Sequence, residues 1–325
     1  MKAITQDEYG SADVLELRDI DKPEIGADEV LVRVHAAGLD RGVWHLITGL
    51  PYFVRPIIPE LGLRAPKTRV PGSDVAGVVE AVGKDVTRFH PGDEVFGIGK
   101  GSYAEYTRVP EKKLAPKPTN LSFEQAAVVP ISGLTALQAV RDKGQVQPGQ
   151  KVLVIGASGG VGTFAVQIAK SFGAEVTGVC NTTKVELVRS LGADHVIDYK
   201  QEDFAKGERR YDLILDTGGH SSLSHLRRAL TPKGMVIIIG SETDGRLLGG
   251  FDRSIRAMVL SLFVGQKLVA FVSSENAEDL LAITDLIEAG KVTPVTDRTF
   301  PLDEAPKAIR YLEEGHARGK IAITV

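Results

Sequence analysis

The segment KVLVIGASGGVG at 151–162 holds the residues whose types and spacing point most directly to chemistry. Val152–Ile155 reads as a short apolar strand. Gly156, Gly159 and Gly162 then recur every third residue, with Gly160 between them. The spacing departs from the strict G-x-G-x-x-G of a dinucleotide site, because Ser158 stands where the second glycine would be. The physical logic is unchanged. A glycine turn lets backbone approach a pyrophosphate, and the free amides and dipole of the following helix hold it. Ser158, Gly159, Gly160 and Val161 are therefore expected to cradle the phosphates of a dinucleotide. The bland alternative is a tight packing turn between strand and helix.

The end of the next strand selects the dinucleotide. An acid that bonds an NAD ribose is expected about 20 residues into such a unit. This chain has Val179, Cys180, Asn181, Thr182, Thr183 and Lys184 there, with hydroxyls, a lysine and no acid. A carboxylate repels a 2′-phosphate and an ammonium attracts it. Thr182 and Lys184 thus point to NADPH, with an ordinary solvated helix-start lysine as the alternative for Lys184. Tyr199, just after a third strand, is placed to lie beside the adenosine.

These residues need a frame. Val161, Phe164, Ala165, Ile168, Ala169 and Phe172 follow helical spacing. Strands are expected at Glu175–Cys180, His195–Asp198, Leu213–Leu215, Met235–Ile239 and Leu268–Val272. Helices are expected over Lys184–Leu191 and Ser222–Leu230. Strands separated by helices imply a parallel, doubly wound sheet with right-handed crossovers. Residues 1 to about 120 differ. EVLVRVHAAG, SDVAGVVEAVG and GDEVFGIG mix valine runs with Gly and Pro-Gly punctuation, the pattern of an antiparallel, barrel-like β domain. A loop of about 20 residues, Leu50 to Pro71, interrupts it, and loops beyond about 12–15 residues are usually functional or mobile. At the end, PLDEAPKAIRYLEEG reads as a short amphipathic helix and GKIAITV as an alternating strand that pairs back into the first domain.

Composition narrows the classes. With 325 residues the chain is long enough for two domains, and 43% apolar with 25% charged residues is ordinary for a globular protein. The 39 basic and 42 acidic residues nearly cancel, without a block of one sign, so nucleic acid and anionic membranes are not expected partners. Cys180 is the only cysteine, which excludes an intrachain disulfide and any Cys-rich metal site. The start, MKAITQDEYG, lacks the apolar core of a signal peptide, and the most apolar stretch, Ala257–Val264, is far short of the about 20 residues of a spanning helix. A cytoplasmic protein is expected. The 35 glycines are the one excess.

Several segments carry a resemblance: PGSDVAGVVEAVG at 71–83, PGDEVFG at 91–97, GSYAEYTRVP at 101–110, LSFEQAAVVPISGLTA at 121–136, GASGGVGTFAVQIAK at 156–170, LGADHVIDY at 191–199 and the final GKIAITV. Together they resemble the zinc-independent quinone oxidoreductase-like branch of the medium-chain dehydrogenase/reductase superfamily. The resemblance implies an α/β fold. A GroES-like β-barrel catalytic domain (1–121 and 292–325) would enclose a Rossmann dinucleotide-binding domain (122–291), with the active site in the cleft. It also implies a reaction without zinc. Zinc-dependent relatives carry a His-Glu pair where this chain has Ser73-Asp74, and their first cysteine ligand falls near Asp40. Their four-cysteine lobe would follow Gly99, where this chain runs straight on.

Without a Lewis acid, reduction of a simple ketone needs another electrophile. Hydride transfer to a conjugated carbon is easier, with the nicotinamide carrying the hydride and the protein orienting it. A quinone or an α,β-unsaturated carbonyl, an alkenal or enone, is the expected substrate. On the substrate side, Asp40 falls where the family often has an Asn, and an acid there departs from the pattern. His45 falls where relatives place a tyrosine and is able to donate a proton near neutral pH. Tyr52 is a candidate lid contact. Asp40 as a helix N-cap, His45 as a surface histidine and Trp44 as a core anchor are the plain alternatives.

On the cofactor side the resemblance implies that Thr135 faces the nicotinamide, unless it is a helix threonine bonded to its own backbone. Gly240-Ser241 should border the carboxyl edge of the sheet. Phe271 and Val272 would contact the nicotinamide amide, and Lys320 would reach the cofactor or be a surface lysine. Cys180 is expected to be inert. A homodimer through Ala257–Val264 and Leu268–Val272 is expected, since two-fold dimers are the commonest assembly. The competing readings are a non-catalytic NADPH-binding redox sensor or partner-binding protein and, third, a zinc alcohol dehydrogenase.

Overall fold

The computed structural model describes residues 1–58, 60–240 and 245–325; Ser241 lies outside the described residues. The chain forms two compact units, one of Met1–Leu134, Glu275–Gly290 and Pro294–Val325, the other of Thr135–Ser274 and Lys291–Thr293.

The first unit opens with β1 (Lys2–Thr5) and β2 (Glu16–Asp19), an antiparallel pair. Then come β3 (Glu29–Leu39), β4 (Asp74–Val82), β5 (Glu94–Ile98), β6 (Tyr106–Pro110) and β7 (Leu114–Pro116). Valines alternate along them, and Val30, Val32, Val34, Val79, Val95 and Val109 bury together with Phe89 and Leu114. Each such side chain contributes about 1.5–3 kcal/mol on leaving water. Helix α1 (Arg41–Thr48) follows β3 directly and ends at Gly49, whose φ of 62° is left-handed. The long segment after it contains only a short turn at Tyr52–Val54, yet it is anchored. Tyr9 Oη bonds the amide and carbonyl of Gly62, each at 2.8 Å. Arg55 donates to Gly49 O at 2.8 Å and Leu63 O at 3.0 Å, with its guanidinium against the rings of Tyr9 and Tyr52. Helix α2 (Phe123–Ala127), begun by a capping box on Ser122 and Gln125, packs on β3 and β4. That packing carries the first unit past residue 121 into α3 (Pro130–Gln138), where the division falls.

The second unit is a six-stranded parallel sheet of β8 (Lys151–Ile155), β9 (Glu175–Cys180), β10 (His195–Asp198), β11 (Tyr211–Asp216), β12 (Leu230–Ile238) and β13 (Lys267–Ala270). The order is β10-β9-β8-β11-β12-β13, the 3-2-1-4-5-6 arrangement of a dinucleotide-binding fold. The connecting helices are α4 (Gly160–Ser171), α5 (Val185–Ser190), α6 (Leu223–Ala229) and α7 (Phe251–Ser261). One core of this unit joins Leu153, Ile155, Ile214, Val236 and Leu268 to Leu226 and Ala257 of the helices.

Helix α8 (Ala277–Glu288), assigned from sequence to the dinucleotide-binding segment, belongs to the first unit, because it packs on β7 and the Glu111–Lys113 turn. The chain ends with β14 (Thr296–Pro301), α9 (Ala305–Glu313) and β15 (Lys320–Thr324). As expected, β15 pairs antiparallel with β3, and it also pairs parallel with β14. Lys320 to Ile323 are all buried, because α2 and α9 pack against the sheet there. The first unit's sheet runs β14-β15-β3-β4-β5-β7, with β6 added on β3.

Candidate functional site

In the second unit the glycine turn has the geometry of a phosphate cradle. Gly156 turns the chain with φ 80°, and a Cβ there would lie 2.5 Å from Thr217 Oγ1. A Cβ on Gly162 would lie 2.1 Å from Gly156 O, so only glycine lets α4 start this close to β8. Gly159 is the N-cap of α4 and supplies no side-chain cap, which leaves first-turn amides for an anion. Ser158 is buried, while Gly159, Gly160 and Val161 remain half-buried at the mouth. The turn fits a pyrophosphate.

The end of β9 differs from expectation in one respect. The turn itself holds no acid, but the sheet brings one from the next strand. Asp198 Oδ2 accepts from Thr182 Oγ1 at 2.6 Å and from Gln201 at 2.8 Å, and Oδ1 accepts from the Lys200 amide at 3.0 Å. The Thr182 bond leads the causes that lower its carboxyl below the ordinary range. Thr182 therefore gives its single hydroxyl proton to Asp198 and is not a phosphate donor, a correction that follows from one O–H per threonine. Lys184 is not solvated: it is 8% exposed at the start of α5. Tyr199 is 57% exposed at the same edge. Burial pushes the Cys180 thiol up to about 11, in keeping with an inert cysteine.

At the carboxyl edge of the sheet, Thr217 Oγ1 donates to Ile155 O at 2.7 Å, and Gly240 sits against Thr217 O so closely that a Cβ would meet it at 2.4 Å. Arg253 of α7 bonds Asp216, Ser221 O and Gly240 O, tying the ends of β11 and β12 together. Thr135 meets the Ser273 hydroxyl at 2.9 Å, and Gln138 clasps the Ser274 amide and carbonyl at 2.9 and 2.8 Å. These bonds hold the segment after β13. There Phe271 is buried, while Val272 is 89% exposed.

In the first unit, three charged residues meet because three strands are neighbours. Ile321 pairs with Leu39, and Ala37 with Val75. Lys320, Asp40 and Asp74 therefore fall at the same end of β15, β3 and β4. Lys320 Nζ lies 3.3 Å from Asp40 Oδ2 and 3.3 Å from Asp74 Oδ2. Asp74 Oδ1 accepts from the Ile131 amide at 3.0 Å. Gly38 makes the room, since a Cβ there would come within 2.9 Å of Asp74 Cβ. Lys320 is thus not a surface lysine: it is 2% exposed and its ammonium is engaged by the two carboxylates. Burial opposes its charge, but the carboxylates outweigh burial and hold it above the usual lysine range. Burial pushes Asp74 up to about 7 against the pull of Lys320, with Asp40 adding to the rise. Burial also pushes the Tyr103 phenol well up, helped by the same two carboxylates. Its hydroxyl donates to Gly38 O at 3.3 Å.

Asp40 also caps α1, accepting from the Val43 amide at 3.1 Å. That helix carries His45, whose Nδ1 lies 2.6 Å from Leu50 O. A carbonyl only accepts, so Nδ1 carries a proton and Nε2 is the atom left for other chemistry. Trp44 donates to Glu313 at 2.8 Å and packs on the core beside Val43 and Ile47, as an anchor would. Tyr52 is 40% exposed, with Arg55 over its ring. The sequence did not reveal Asp74, Tyr103, Asp198 or the Arg253–Asp216 pair. For Asp74, as for Lys320, the available signal was a charged residue at the first position of a largely buried strand, and for Asp216 an acid at the last position of one. The Asp40–Lys320–Asp74 donor set does not fit a metal, because an ammonium already sits between the carboxylates. Among the described residues no group of three or more His, Cys, Asp or Glu side chains could hold one.

Two family models match: the alcohol dehydrogenase GroES-like domain over residues 26–119 and zinc-binding dehydrogenase over 191–323. The mouse protein NAD(P)H oxidoreductase RTN4IP1, mitochondrial, is 35% identical over 100% of this chain and 89% of its own. The Arabidopsis thaliana NADPH-dependent alkenal/one oxidoreductase, chloroplastic, is 36% identical over 99% of this chain and 79% of its own. The solved quinone oxidoreductase of Coxiella burnetii superposes with a TM-score of 0.88 at 30% identity, covering 100% of this chain and 99% of that one. With likeness of that depth over the whole length, the chain belongs to the medium-chain dehydrogenase/reductase superfamily, in its quinone oxidoreductase-like branch.

Proposed function

We propose that the protein reduces quinones or α,β-unsaturated carbonyls with NADPH, without zinc. The observation that carries this is the glycine cradle at 156–162 in the second unit; within the first unit, Asp40 and Asp74 hold the Lys320 ammonium rather than a metal. A site without a Lewis acid suits acceptors that are already conjugated. Relatives named for NADPH-dependent alkenal/one and NAD(P)H oxidoreductase activity support it.

Ser158, Gly159, Gly160 and Val161 would hold the pyrophosphate, with Lys184 and Tyr199 at the adenosine end. Thr135, Gly240, Phe271 and Val272 border the nicotinamide end. When bound, NADPH supplies the hydride. Asp40, held by Lys320, and His45, through Nε2, face the substrate, and His45 in its charged form donates a proton to the product oxygen. Tyr52 contributes from the anchored loop. The test is loss of reduced-nicotinamide absorbance with a panel of quinones and 2-alkenals. Turnover is expected with several acceptors. Tight NADPH binding without turnover on any of them would leave the non-catalytic redox sensor instead.

A homodimer belongs to the same proposal. Helix α7 exposes Phe251, Ile255, Met258 and Val259, and Leu262 and Phe263 continue the stripe at 80% and 79% exposure. Beside it β13 is an open sheet edge. A second copy pairing the same edge about a two-fold axis covers both at once. Sedimentation at micromolar concentration should find dimer, and monomer alone would reject it. No helix among the described residues is long and apolar enough to cross a membrane, and we place the protein in the cytoplasm, where a single buried thiol is stable.

A further inference from the structure

The cluster on the substrate side contains a titratable group that the proposed reaction does not use. Asp74 has no exposure at the first residue of β4. The groups that face it are Lys320 from β15, Asp40 from the end of β3 and the Tyr103 phenol from the loop before β6, with the Ile131 amide of α3 as a neutral donor. Two carboxylates share one ammonium. With both ionised the cluster carries one net negative charge in a largely buried place, and with one proton it is neutral. Like charges that close do not ionise independently.

The two acids are not equivalent. Asp40 takes donors on both oxygens, the Val43 amide and Lys320, and its side chain is 12% exposed. Asp74 is wholly buried and has the raised carboxyl, at about 7. A shared proton is therefore better placed on Asp74, whose carboxyl burial raises, than on Asp40 with its two donors.

We propose that Asp74 is a positioning residue that sets the charge of the Asp40–Lys320–Asp74 cluster and, through Lys320, the field that Asp40 presents to the reacting carbonyl. This rests on the reading of Asp40 as a substrate-side group. Hydride addition leaves an electron pair on the substrate oxygen until it takes a proton. A neutral cluster does not oppose that growing negative charge, and an anionic one does. Turnover should fall as pH rises through the neutral range.

The test is kcat and kcat/KM for one quinone as a function of pH in the wild type, Asp74→Asn and Asp40→Asn. The wild-type kcat should fall at least tenfold, the size expected of a unit charge within about 12 Å at an effective dielectric of about 20. Asp74→Asn should lose the fall. Asp40→Asn should move it to lower pH, because Lys320 then serves Asp74 alone. Persistence of the same fall in Asp74→Asn overturns the proposal. Should Asp74→Asn not fold, carboxyl 13C NMR of the wild type reads the cluster directly. One aspartate titrating in the neutral range, and moving in Asp40→Asn, supports it, while none titrating there overturns it. Lack of turnover with every acceptor removes the reductase reading and this role with it, whereas a persisting fall removes this proposal alone.

Discussion

The phosphate turn at 156–162 and the Asp40–Lys320–Asp74 cluster solve the problem of siting charge in opposite ways. The turn is made of seven consecutive residues, almost without side chains, and offers backbone amides to an anion that comes and goes. The cluster is made of three side chains, up to 280 positions apart, in which two carboxylates share one ammonium. The first is local and open, so a single Cβ damages it. The second is long-range and closed, so what damages it is an unbalanced charge.

The largest effect should come from unbalancing the cluster. Lys320→Met leaves two buried carboxylates without a counter-ion, and breaking such a pair typically costs about 3–5 kcal/mol. Urea unfolding should show that loss, and adding Asp74→Asn should recover part of it. A wild-type midpoint for Lys320→Met would mean that the cluster is not a closed ionic unit.

Next is the turn. Gly162→Val puts a Cβ into Gly156 O, and crowding of this kind costs about 1–3 kcal/mol. The local character of the site predicts a further result: NADPH titration should show binding lost well beyond what the stability change explains. Parallel losses in binding and stability would erase the distinction between the two regions.

Coenzyme choice gives a smaller effect. Lys184→Glu should weaken NADPH about tenfold more than NADH, about 1.4 kcal/mol, measured as the ratio of the two dissociation constants. Equal changes would remove Lys184 from the 2′-phosphate. Thr182→Val should leave that ratio alone, because its hydroxyl serves Asp198.

The last effect is a slope rather than a single loss. Asp74 has a folded carboxyl near 7, against 3.8 for the ordinary group. Between those values the folded state binds more proton than the unfolded one, so stability falls as pH rises across the window and levels above it. Asp74→Asn should flatten the thermal midpoint across that window relative to wild type. An unchanged slope would place the titration elsewhere.

How much was legible follows the same division. The six strands of the second unit, the helix after the glycine turn and the return of the final strand to β3 could all be read from periodicity and punctuation. Ser158 to Val161 could be named as candidates because their signal is contiguous. Lys320 was read as a cofactor or surface residue, and Thr182 as a phosphate ligand. Both assignments miss a partner supplied by a neighbouring strand.

The amino-acid sequence by itself determined the two kinds of domain, the order of their elements, the nucleotide turn and the absence of sulfur ligands, since each is a property of local pattern or composition. Only the tertiary structure decided that Asp74 and Lys320 belong with Asp40, that Asp198 stands at the end of β9, and that α8 packs with the first unit. Strand adjacency and register set those meetings, and register is fixed by the burial of whole faces rather than by any residue that later does chemistry.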